Sequence, residues 1–351
     1  MSTETRETPL IELEGVGRTF TTPAGTITAV NDVSIALGAR EAMCIVGESG
    51  CGKTTTGRML AGLLRPSSGR LLFEGKDVWT TKGTALAKFR RSVQLVHQDP
   101  YASLNPLRTV YDTLSAPLFR HKKARSRQQA IVVATDLLQR VGLTPPADFL
   151  IKYPHQLSGG QRQRVAIARA LSVDPRVIVA DEAVSMVDVS IRISLLNLLL
   201  ALRDEFGVTI VLITHDLAVA RYFAQVGRIG VMYLGKMVEF AQTEQIVADP
   251  AHPYTTALIA AIPEADPTIA RTKRTIQLRS ANVPSLLRLP SGCVFHPRCP
   301  LAEPGLCDVQ VPELLPLRSG QEVACHVAMR ERAPAAELLG AAPVGAAEAG
   351  R

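Results

Sequence analysis

Residues 47–54, GESGCGKT, carry the residue types and the spacing needed to hold a phosphate chain. Gly47, Gly52, Lys53 and Thr54 fill the fixed positions of the pattern Gly-x-x-x-x-Gly-Lys-Thr. Glycines let a loop bend until its backbone N–H groups point at phosphate oxygens, the lysine adds positive charge, and the threonine hydroxyl can ligate Mg²⁺. The loop therefore predicts binding of a nucleoside triphosphate with Mg²⁺. The expected contacts are Gly47, Glu48, Ser49, Gly50, Cys51, Gly52, Lys53, Thr54 and Thr55.

A second candidate anion site lies in residues 157–171, LSGGQRQRVAIARAL. Ser158, Gly159 and Gly160 open a predicted helix, and they offer a hydroxyl group and backbone N–H groups that have no partner within the helix. Two arrangements are open. Both anion sites could wrap one nucleotide, or each could serve a different end of nucleotides shared between two chains.

The elements around these motifs predict an α/β protein. Residues 42–46 form an apolar run, as a buried strand would, and residues 177–180 are a second apolar run. Residues 208–213 fit a parallel strand buried on both faces, and residues 10–16 alternate in polarity as an edge strand does. Ala134, Leu137, Leu138 and Val141 mark one face of a helix that Gly142 ends. Strands that alternate with helices indicate a sheet wound with right-handed crossovers.

The ordered set of motifs resembles the ATPases of the ABC family. LSGGQ followed by QRVAIARAL is similar to their signature, and Gln98 precedes it, while Asp181-Glu182 and His215 follow. The resemblance spans about residues 8–262. It implies a P-loop NTPase fold with a RecA-like parallel-sheet core, an antiparallel β subdomain and a helical signature subdomain at about residues 101–165. It also implies ATP hydrolysis coupled to transport.

The resemblance implies a role for each matching residue. Gln98 matches the glutamine that contacts Mg²⁺ and the attacking water, and Asp181 matches the aspartate that holds Mg²⁺ together with Thr54. Glu182 matches the carboxylate that polarises water, and His215 matches the switch histidine at the γ-phosphate. Phe20 is the candidate aromatic residue that stacks on adenine. The residues expected to reach the nucleotide of a second subunit are Ser158, Gly159, Gly160 and Gln161.

Several positions depart from the family pattern. Cys51 replaces a small residue and introduces an oxidisable thiol, and His97 stands where phenylalanine is common. Ala183 replaces a proline, and Met186-Val187 replaces Ala-Leu in the segment between the two sites. None of these changes removes a catalytic group, so we expect an active enzyme.

The later part of the chain resembles the ATPase subunits of oligopeptide and dipeptide importers. The matching stretches are QDPYASLNP, HPYTTAL, IPEADP and a cysteine-rich end. The thiols of Cys293, Cys299, Cys307 and Cys325 suit a 4Fe–4S cluster or tetrahedral zinc, with His296 and His326 as substitute zinc ligands. Free or paired thiols remain the third alternative. We expect an ATPase domain at 8–262, a cysteine-rich extension at 263–332 and a disordered tail at 333–351.

The resemblance implies a membrane importer of peptides, with nickel chelates or another small solute as the alternative cargo. Its implied partners are a second ATPase subunit (itself or a paralogue), two transmembrane permease subunits and an extracytoplasmic solute-binding protein. The 351 residues contain no apolar run long enough to span a membrane and no signal pattern, so we expect a peripheral protein on the cytoplasmic face.

The net charge of +7 leaves open a soluble ABC ATPase that acts on nucleic acid. Such proteins show paired ATPase halves or long heptad arms, and the interval 54–157 holds only a short helical insertion. We therefore expect no nucleic-acid partner. The cysteine-rich end argues against the third possibility, an exporter subunit.

Overall fold

A computed structural model describes residues 8–23, 25–185, 187–225, 227–262 and 277–332. The strands are β1 Ile11–Thr22, β2 Gly25–Leu37, β3 Ala42–Val46, β4 Ser68–Phe73, β5 Lys76–Asp77, β6 Val93–Val96, β7 Val177–Asp181, β8 Thr209–Thr214, β9 Arg228–Tyr233, β10 Lys236–Gln242, β11 Leu315–Pro316 and β12 Glu322–Val323. The helices are α1 Lys53–Leu60, α2 Gly83–Ser92, α3 Pro100–Ser103, α4 Val110–Arg120, α5 Arg127–Arg140, α6 Pro146–Leu150, α7 Gly159–Leu171, α8 Val189–Phe206, α9 Leu217–Phe223, α10 Thr243–Ala248, α11 Pro253–Ala260 and α12 His326–Arg332.

The larger sheet confirms the predicted parallel core. Its strand order is β11-β12-β10-β9-β3-β8-β7-β6, and the run from β9 to β6 is parallel. Every residue of β3, β7 and β8 is buried, because helices cover both faces of a sheet wound with crossovers. The carboxyl ends of β3, β7 and β8 therefore meet at one edge, where the phosphate loop and the residues after β7 and β8 also lie.

The smaller sheet is antiparallel, with the order β2-β1-β4-β5. The prediction of an edge strand at residues 10–16 is wrong, because β1 pairs with β2 on one side and with β4 on the other. Ile11, Leu13 and Val16 are fully buried while the residues between them are half-buried. The alternation in the sequence therefore indicates which face of β1 packs on the core. It does not indicate whether β1 lies at the edge or in the interior of the sheet.

Helices α3 to α7 form the predicted helical region. Ala134, Leu137, Leu138 and Val141 are buried on one side of α5, as their spacing predicts. Gly142 has a left-handed backbone (φ 70°) where the helix ends. The signature residues form the first turn of α7, which packs against α4, α5 and α8.

The cysteine-rich segment joins the ATPase core. Strand β12 pairs antiparallel with β10, which places Val323 beside Glu239. Phe295 is fully buried, and its ring centroid lies 5.2 Å from that of Tyr233 and 5.3 Å from that of Tyr254. The boundary between an ATPase domain and an extension stays a prediction. The predicted disordered tail at 333–351 and nearly all of the IPEADP stretch lie outside the described residues.

Within the described residues, no helix combines the length and the apolar character required to cross a membrane.

Candidate active site

The phosphate loop connects β3 to α1 in a conformation that requires glycine at two positions. Gly47 has φ 155°, and a Cβ atom there would lie 2.1 Å from the carbonyl oxygen of Met232. Gly52 has φ 103°, and a Cβ atom there would lie 2.2 Å from the carbonyl oxygen of Ala29. Because both obstacles are backbone atoms, no side chain could move aside. The fixed glycines of the motif are therefore explained by the close approach of β2 and β9 to the loop.

Lys53 and Thr54 start α1 and face the site. Lys53 is buried, and its Nζ donates to the carbonyl oxygens of Gly47 and Glu48, each at 2.8 Å. The Thr54 hydroxyl donates to Oδ1 of Asp181 at 3.0 Å. The loop thus carries a buried positive charge next to a hydroxyl–carboxylate pair of the kind that ligates Mg²⁺.

Asp181 ends β7 in a buried position. Burial raises the pKa of its carboxyl group above the usual value, and the hydrogen bond from Thr54 opposes that shift. The carboxylate form is therefore costly without a nearby cation. This is the environment expected of a metal ligand, since a bound cation favours the ionised form.

Glu182, Gln98 and His215 converge although they are far apart in sequence. Nε2 of Gln98 donates to Oε2 of Glu182 at 3.0 Å, and Nδ1 of His215 lies 3.4 Å from Oε1 of the same carboxylate. Glu182 also has a left-handed backbone (φ 46°), held by its N–H group donating to the carbonyl oxygen of Ile213 at 2.9 Å. A carboxylate with an amide and an imidazole on either side can orient and polarise a water molecule.

The signature residues form a capped helix start. The Ser158 hydroxyl accepts the N–H group of Gln161 at 3.3 Å, and the Gln161 side chain accepts the N–H group of Ser158 at 2.9 Å. A Cβ atom on Gly160 would lie 2.5 Å from Cγ2 of Ile191 in α8, so glycine permits close packing of the two helices. Ser158 is exposed and Gly159 half-exposed. Their contact with the nucleotide of a second subunit stays a prediction.

Phe20 lies on β1 and is half-buried. The Arg18 guanidinium lies 4.9 Å from its ring centroid, which fits a cation–π contact on one face of the ring. The predicted stacking of Phe20 on adenine remains a prediction.

Family models match most of the chain. One described as ABC transporter matches residues 30–185, and one described as Oligopeptide/dipeptide transporter, C-terminal region, matches residues 238–307. A probable peptide ABC transporter ATP-binding protein of Sinorhizobium fredii is 47% identical over 317 residues, which cover 90% of this chain and 86% of the relative. The chain belongs to the oligopeptide/dipeptide ABC transporter ATPase family.

Other relatives agree with this assignment. An oligopeptide transport ATP-binding protein of Bacillus subtilis is 43% identical, with 88% of this chain and 92% of the relative covered. Among solved structures, a dimeric ATP-binding cassette, MJ0796, bound to ADP and Pi is similar with a TM-score of 0.60 and 31% identity, covering 66% of this chain and 98% of that one. The structure of cbiO1 from Clostridium perfringens is similar with a TM-score of 0.60 and 27% identity, covering 69% and 92%. The chain is thus an ABC ATPase that binds and hydrolyses ATP for transport.

Three departures from the family pattern of this ABC ATPase, Cys51, Ala183 and Val187, can be placed in the structure. Burial raises the pKa of the Cys51 thiol, and the nearby Lys53 opposes the shift only in part. The thiol is therefore shielded and neutral, which lowers its reactivity toward oxidants. Ala183 is buried, and the partly buried Val187 packs against a cluster of buried side chains that includes Ala183. Met186 lies outside the described residues.

Four cysteines of this ABC ATPase converge in the extension. Cys293, Cys299, Cys307 and Cys325 are buried free thiols that line one small cavity together with His296 and His326. Burial, and repulsion from the neighbouring thiols, raise the pKa of Cys293 to about 12 and that of Cys299 to about 11. The donor types suit a metal, but no group of three or more histidine, cysteine, aspartate or glutamate side chains in the described ranges is spaced to hold one.

The sequence motifs did not reveal two residues that contact the phosphate loop, Arg298 and Tyr254. Arg298 donates to both carboxylate oxygens of Glu48 at 2.9 Å and to the Tyr233 hydroxyl at 3.3 Å. The Tyr254 hydroxyl accepts the backbone N–H group of Glu48 at 2.9 Å. Tyr254 belongs to HPYTTAL, a stretch that in the sequence indicates only the family branch. No spacing in the sequence signals these contacts, since Arg298 follows Glu48 by 250 residues.

Proposed function

We propose that this ABC ATPase powers the import of peptides through a membrane transporter of the oligopeptide/dipeptide type. The observation that carries the proposal is that the relatives named for peptide transport match about nine tenths of this chain. In addition, residues 238–307 match the model of the C-terminal region of oligopeptide/dipeptide transporters. Nickel chelates and other small solutes are the alternative cargo. The chain would pair with itself or with a paralogue, dock on two permease subunits at the cytoplasmic face, and receive cargo from a solute-binding protein.

The geometry supports a role for each residue in hydrolysis. Lys53 and the loop N–H groups would bind the β- and γ-phosphates, and Thr54, Asp181 and Gln98 would hold the Mg²⁺ that neutralises phosphate charge. Glu182 would orient the attacking water and accept its proton as the bond to the γ-phosphorus forms and the bond to the β–γ bridging oxygen breaks. His215 lies next to Glu182, where it could contact the γ-phosphate.

Closure of two subunits would couple hydrolysis to transport. Ser158 and Gly160 of the second subunit would reach the γ-phosphate only in the closed dimer, and a hydrogen bond to a charged group contributes about 1.5–3 kcal/mol. Two or three such bonds at each site are comparable to the roughly 5.5 kcal/mol that shifts a 1:99 equilibrium to 99:1. Loss of the γ-phosphate removes those bonds, so hydrolysis would reopen the dimer.

Reconstitution tests the cargo. The chain would be co-purified with the proposed permeases, second ATPase and binding protein, and the complex placed in vesicles. We expect MgATP to drive uptake of a labelled peptide, and we expect no uptake when Glu182→Gln replaces the wild-type chain. Uptake of a nickel chelate without any peptide uptake would overturn the proposed cargo and leave the ATPase assignment intact.

Fractionation tests the proposed location. We expect the chain to sediment with membranes when the permeases are co-expressed and to remain in the supernatant without them. Salt-dependent binding to DNA, with no membrane association in either case, would instead support the alternative of a soluble ATPase that acts on nucleic acid.

We further propose that the four thiols bind a 4Fe–4S cluster, with zinc as the alternative. The support is the convergence of Cys293, Cys299, Cys307 and Cys325 on one buried cavity. Because these side chains are not spaced to share one metal ion as they stand, binding would require them to move. Protein prepared without oxygen should be brown and contain iron, and Cys307→Ser should lose it. Cys44→Ala is the matched control, since Cys44 is a buried thiol in β3. Stoichiometric zinc would favour the alternative, and colourless wild-type protein free of both metals would overturn the proposal.

A further inference from the structure

Arg298 is a buried charged residue that reaches out of the cysteine-rich segment to the phosphate loop. Its side chain is 7% exposed, and its Nη1 lies 2.9 Å from Oε1 and from Oε2 of Glu48. The Glu48 side chain is 27% exposed, so the pair is shielded on the arginine side and open on the loop side. A charged hydrogen bond in such a partly desolvated position is stronger than an exposed one.

Glu48 connects this ion pair to the residues that face the nucleotide. Its carbonyl oxygen accepts Nζ of Lys53 at 2.8 Å and the N–H group of Cys51 at 3.3 Å. Its own N–H group donates to the Tyr254 hydroxyl. A displacement of Glu48 would therefore move the loop backbone and the ammonium group of Lys53 together.

Arg298 is itself held in a defined place. Its N–H group donates to the carbonyl oxygen of Phe295 at 3.0 Å, and its guanidinium lies 5.9 Å from the centroid of the Phe295 ring and 5.7 Å from that of Tyr233. Nε donates to the carbonyl oxygen of Ser280 at 3.4 Å. A residue held through its backbone N–H group, its Nε and its guanidinium can impose its position on the phosphate loop.

We propose that Arg298 is a positioning residue of the nucleotide site, which holds the phosphate loop in its binding conformation through Glu48. It does so without contacting the reacting atoms. Through Arg298, the cysteine-rich segment then contributes to the nucleotide site of this ABC ATPase. Binding is tighter when a loop is fixed in its bound conformation beforehand, because less conformational freedom is lost on binding.

The variants Arg298→Gln, Arg298→Lys, Glu48→Gln and the double change Arg298→Gln/Glu48→Gln would be made in the full chain. MgATP affinity, KM and kcat would be measured beside the thermal midpoint without nucleotide. We expect Arg298→Gln to weaken MgATP binding about tenfold, equivalent to about 1.4 kcal/mol, and to raise KM more than it lowers kcat. Arg298→Lys should recover part of the affinity, since it keeps the positive charge.

Glu48→Gln should weaken binding to a similar extent, and the double variant should bind no more weakly than either single variant, because both changes break one contact. Arg330→Gln is the matched control. Arg330 pairs with Glu303 on the exposed surface of the same segment, so MgATP affinity should stay at the wild-type value.

Any one of three results would overturn the proposal. The first is wild-type MgATP affinity in Glu48→Gln, which remains measurable even if Arg298→Gln fails to fold, because Glu48 lies on the partly open side of the pair. The second is full additivity in the double variant, which would show that Arg298 and Glu48 act separately. A lower thermal midpoint in Arg298→Gln with unchanged affinity would assign Arg298 to packing alone and also count against the proposal.

Discussion

Glu182 combines two features that chance placement would not explain. Its backbone lies in the left-handed region, which costs a non-glycine residue free energy, and its carboxylate meets Gln98 and His215. Because Glu182 directly follows β7, this backbone conformation sets the direction in which its side chain leaves the strand. The order of motifs predicted these three residues as a group, whereas no sequence pattern predicts the backbone conformation that brings them together.

Glu182→Gln tests the role of this carboxylate. The amide cannot accept the proton of the attacking water, so we expect ATP hydrolysis to fall on the order of 10²- to 10⁴-fold while MgATP binding is retained. Single-turnover hydrolysis and equilibrium binding would be measured on the same protein. Glu205→Gln, an exposed change at the end of α8, is the control and should hydrolyse ATP at the wild-type rate. Wild-type turnover in Glu182→Gln would remove Glu182 from the role.

His252 is a fully buried imidazole that should make stability depend on pH. Burial lowers its pKa from 6.5 to about 3, and its Nδ1 accepts the N–H group of Tyr254 at 3.0 Å. Below pH 6.5 the unfolded chain binds a proton at this residue and the native chain does not until about pH 3. The native state therefore loses stability as the pH falls through that window, by about 1.4 kcal/mol between pH 7.5 and 5.5.

His252→Asn isolates this effect. Asparagine can accept the same N–H group at the start of α11 but does not titrate. Urea unfolding at pH 7.5 and 5.5 should show that the wild-type chain loses about 1.4 kcal/mol more than the variant does. An equal loss in both proteins would show that His252 is not the residue that titrates.

Helix α1 can approach the sheet closely because Gly57 carries no side chain. A Cβ atom there would lie 2.4 Å from Cδ1 of Ile213 in β8 and 3.3 Å from Cγ1 of Val179 in β7. This contact sets the distance between the helix that begins with Lys53 and the strands that end in Asp181 and Thr214. The packing of α1 thus helps to place the phosphate loop against the catalytic carboxylates.

Gly57→Ala tests this packing. Overpacking should cost about 1–3 kcal/mol, more than the roughly 1 kcal/mol that alanine gains over glycine in a helix. Ile213→Val removes the obstructing Cδ1 atom and alone should cost about 0.5–1.5 kcal/mol. We expect the double variant to be more stable than the sum of the single changes predicts, as measured by chemical unfolding. Strict additivity would mean that the two side chains do not collide.

Elements differ in how well the sequence predicts them. The continuous apolar runs of β3, β7 and β8 predicted buried parallel strands, because covering both faces leaves no polar positions. Strand β12 has two residues, too few to show a period, and it exists because β10 offers an open edge. The Arg298–Glu48 contact was equally unpredictable, since it depends on how the whole chain folds.

At the scale of the whole molecule, the cysteine-rich segment and the ATPase region share one hydrophobic core. Phe295 packs against Tyr233 of β9 and Tyr254 of α11. Cys293 and Cys299 belong to the same cluster of buried side chains as these three aromatic residues. The family resemblance predicted this segment as an addition that follows the ATPase domain. The structure places the Phe295 ring of this segment against Tyr233 and Tyr254 of the ATPase region, so we expect the two regions to unfold together.

Phe295→Ala tests whether they form one cooperative unit. Loss of a fully buried ring should cost about 3–5 kcal/mol, whereas Leu301→Ala, at a side chain 53% exposed in the same segment, should cost less than about 0.5 kcal/mol. Trp79, the single tryptophan, packs against a second cluster of buried side chains, which includes those of the antiparallel sheet. We expect Phe295→Ala to shift the unfolding midpoint followed by Trp79 fluorescence as far as the midpoint followed by circular dichroism. An unshifted Trp79 transition would show that the cysteine-rich segment unfolds independently, because a change confined to a separate unit cannot alter the stability that Trp79 reports.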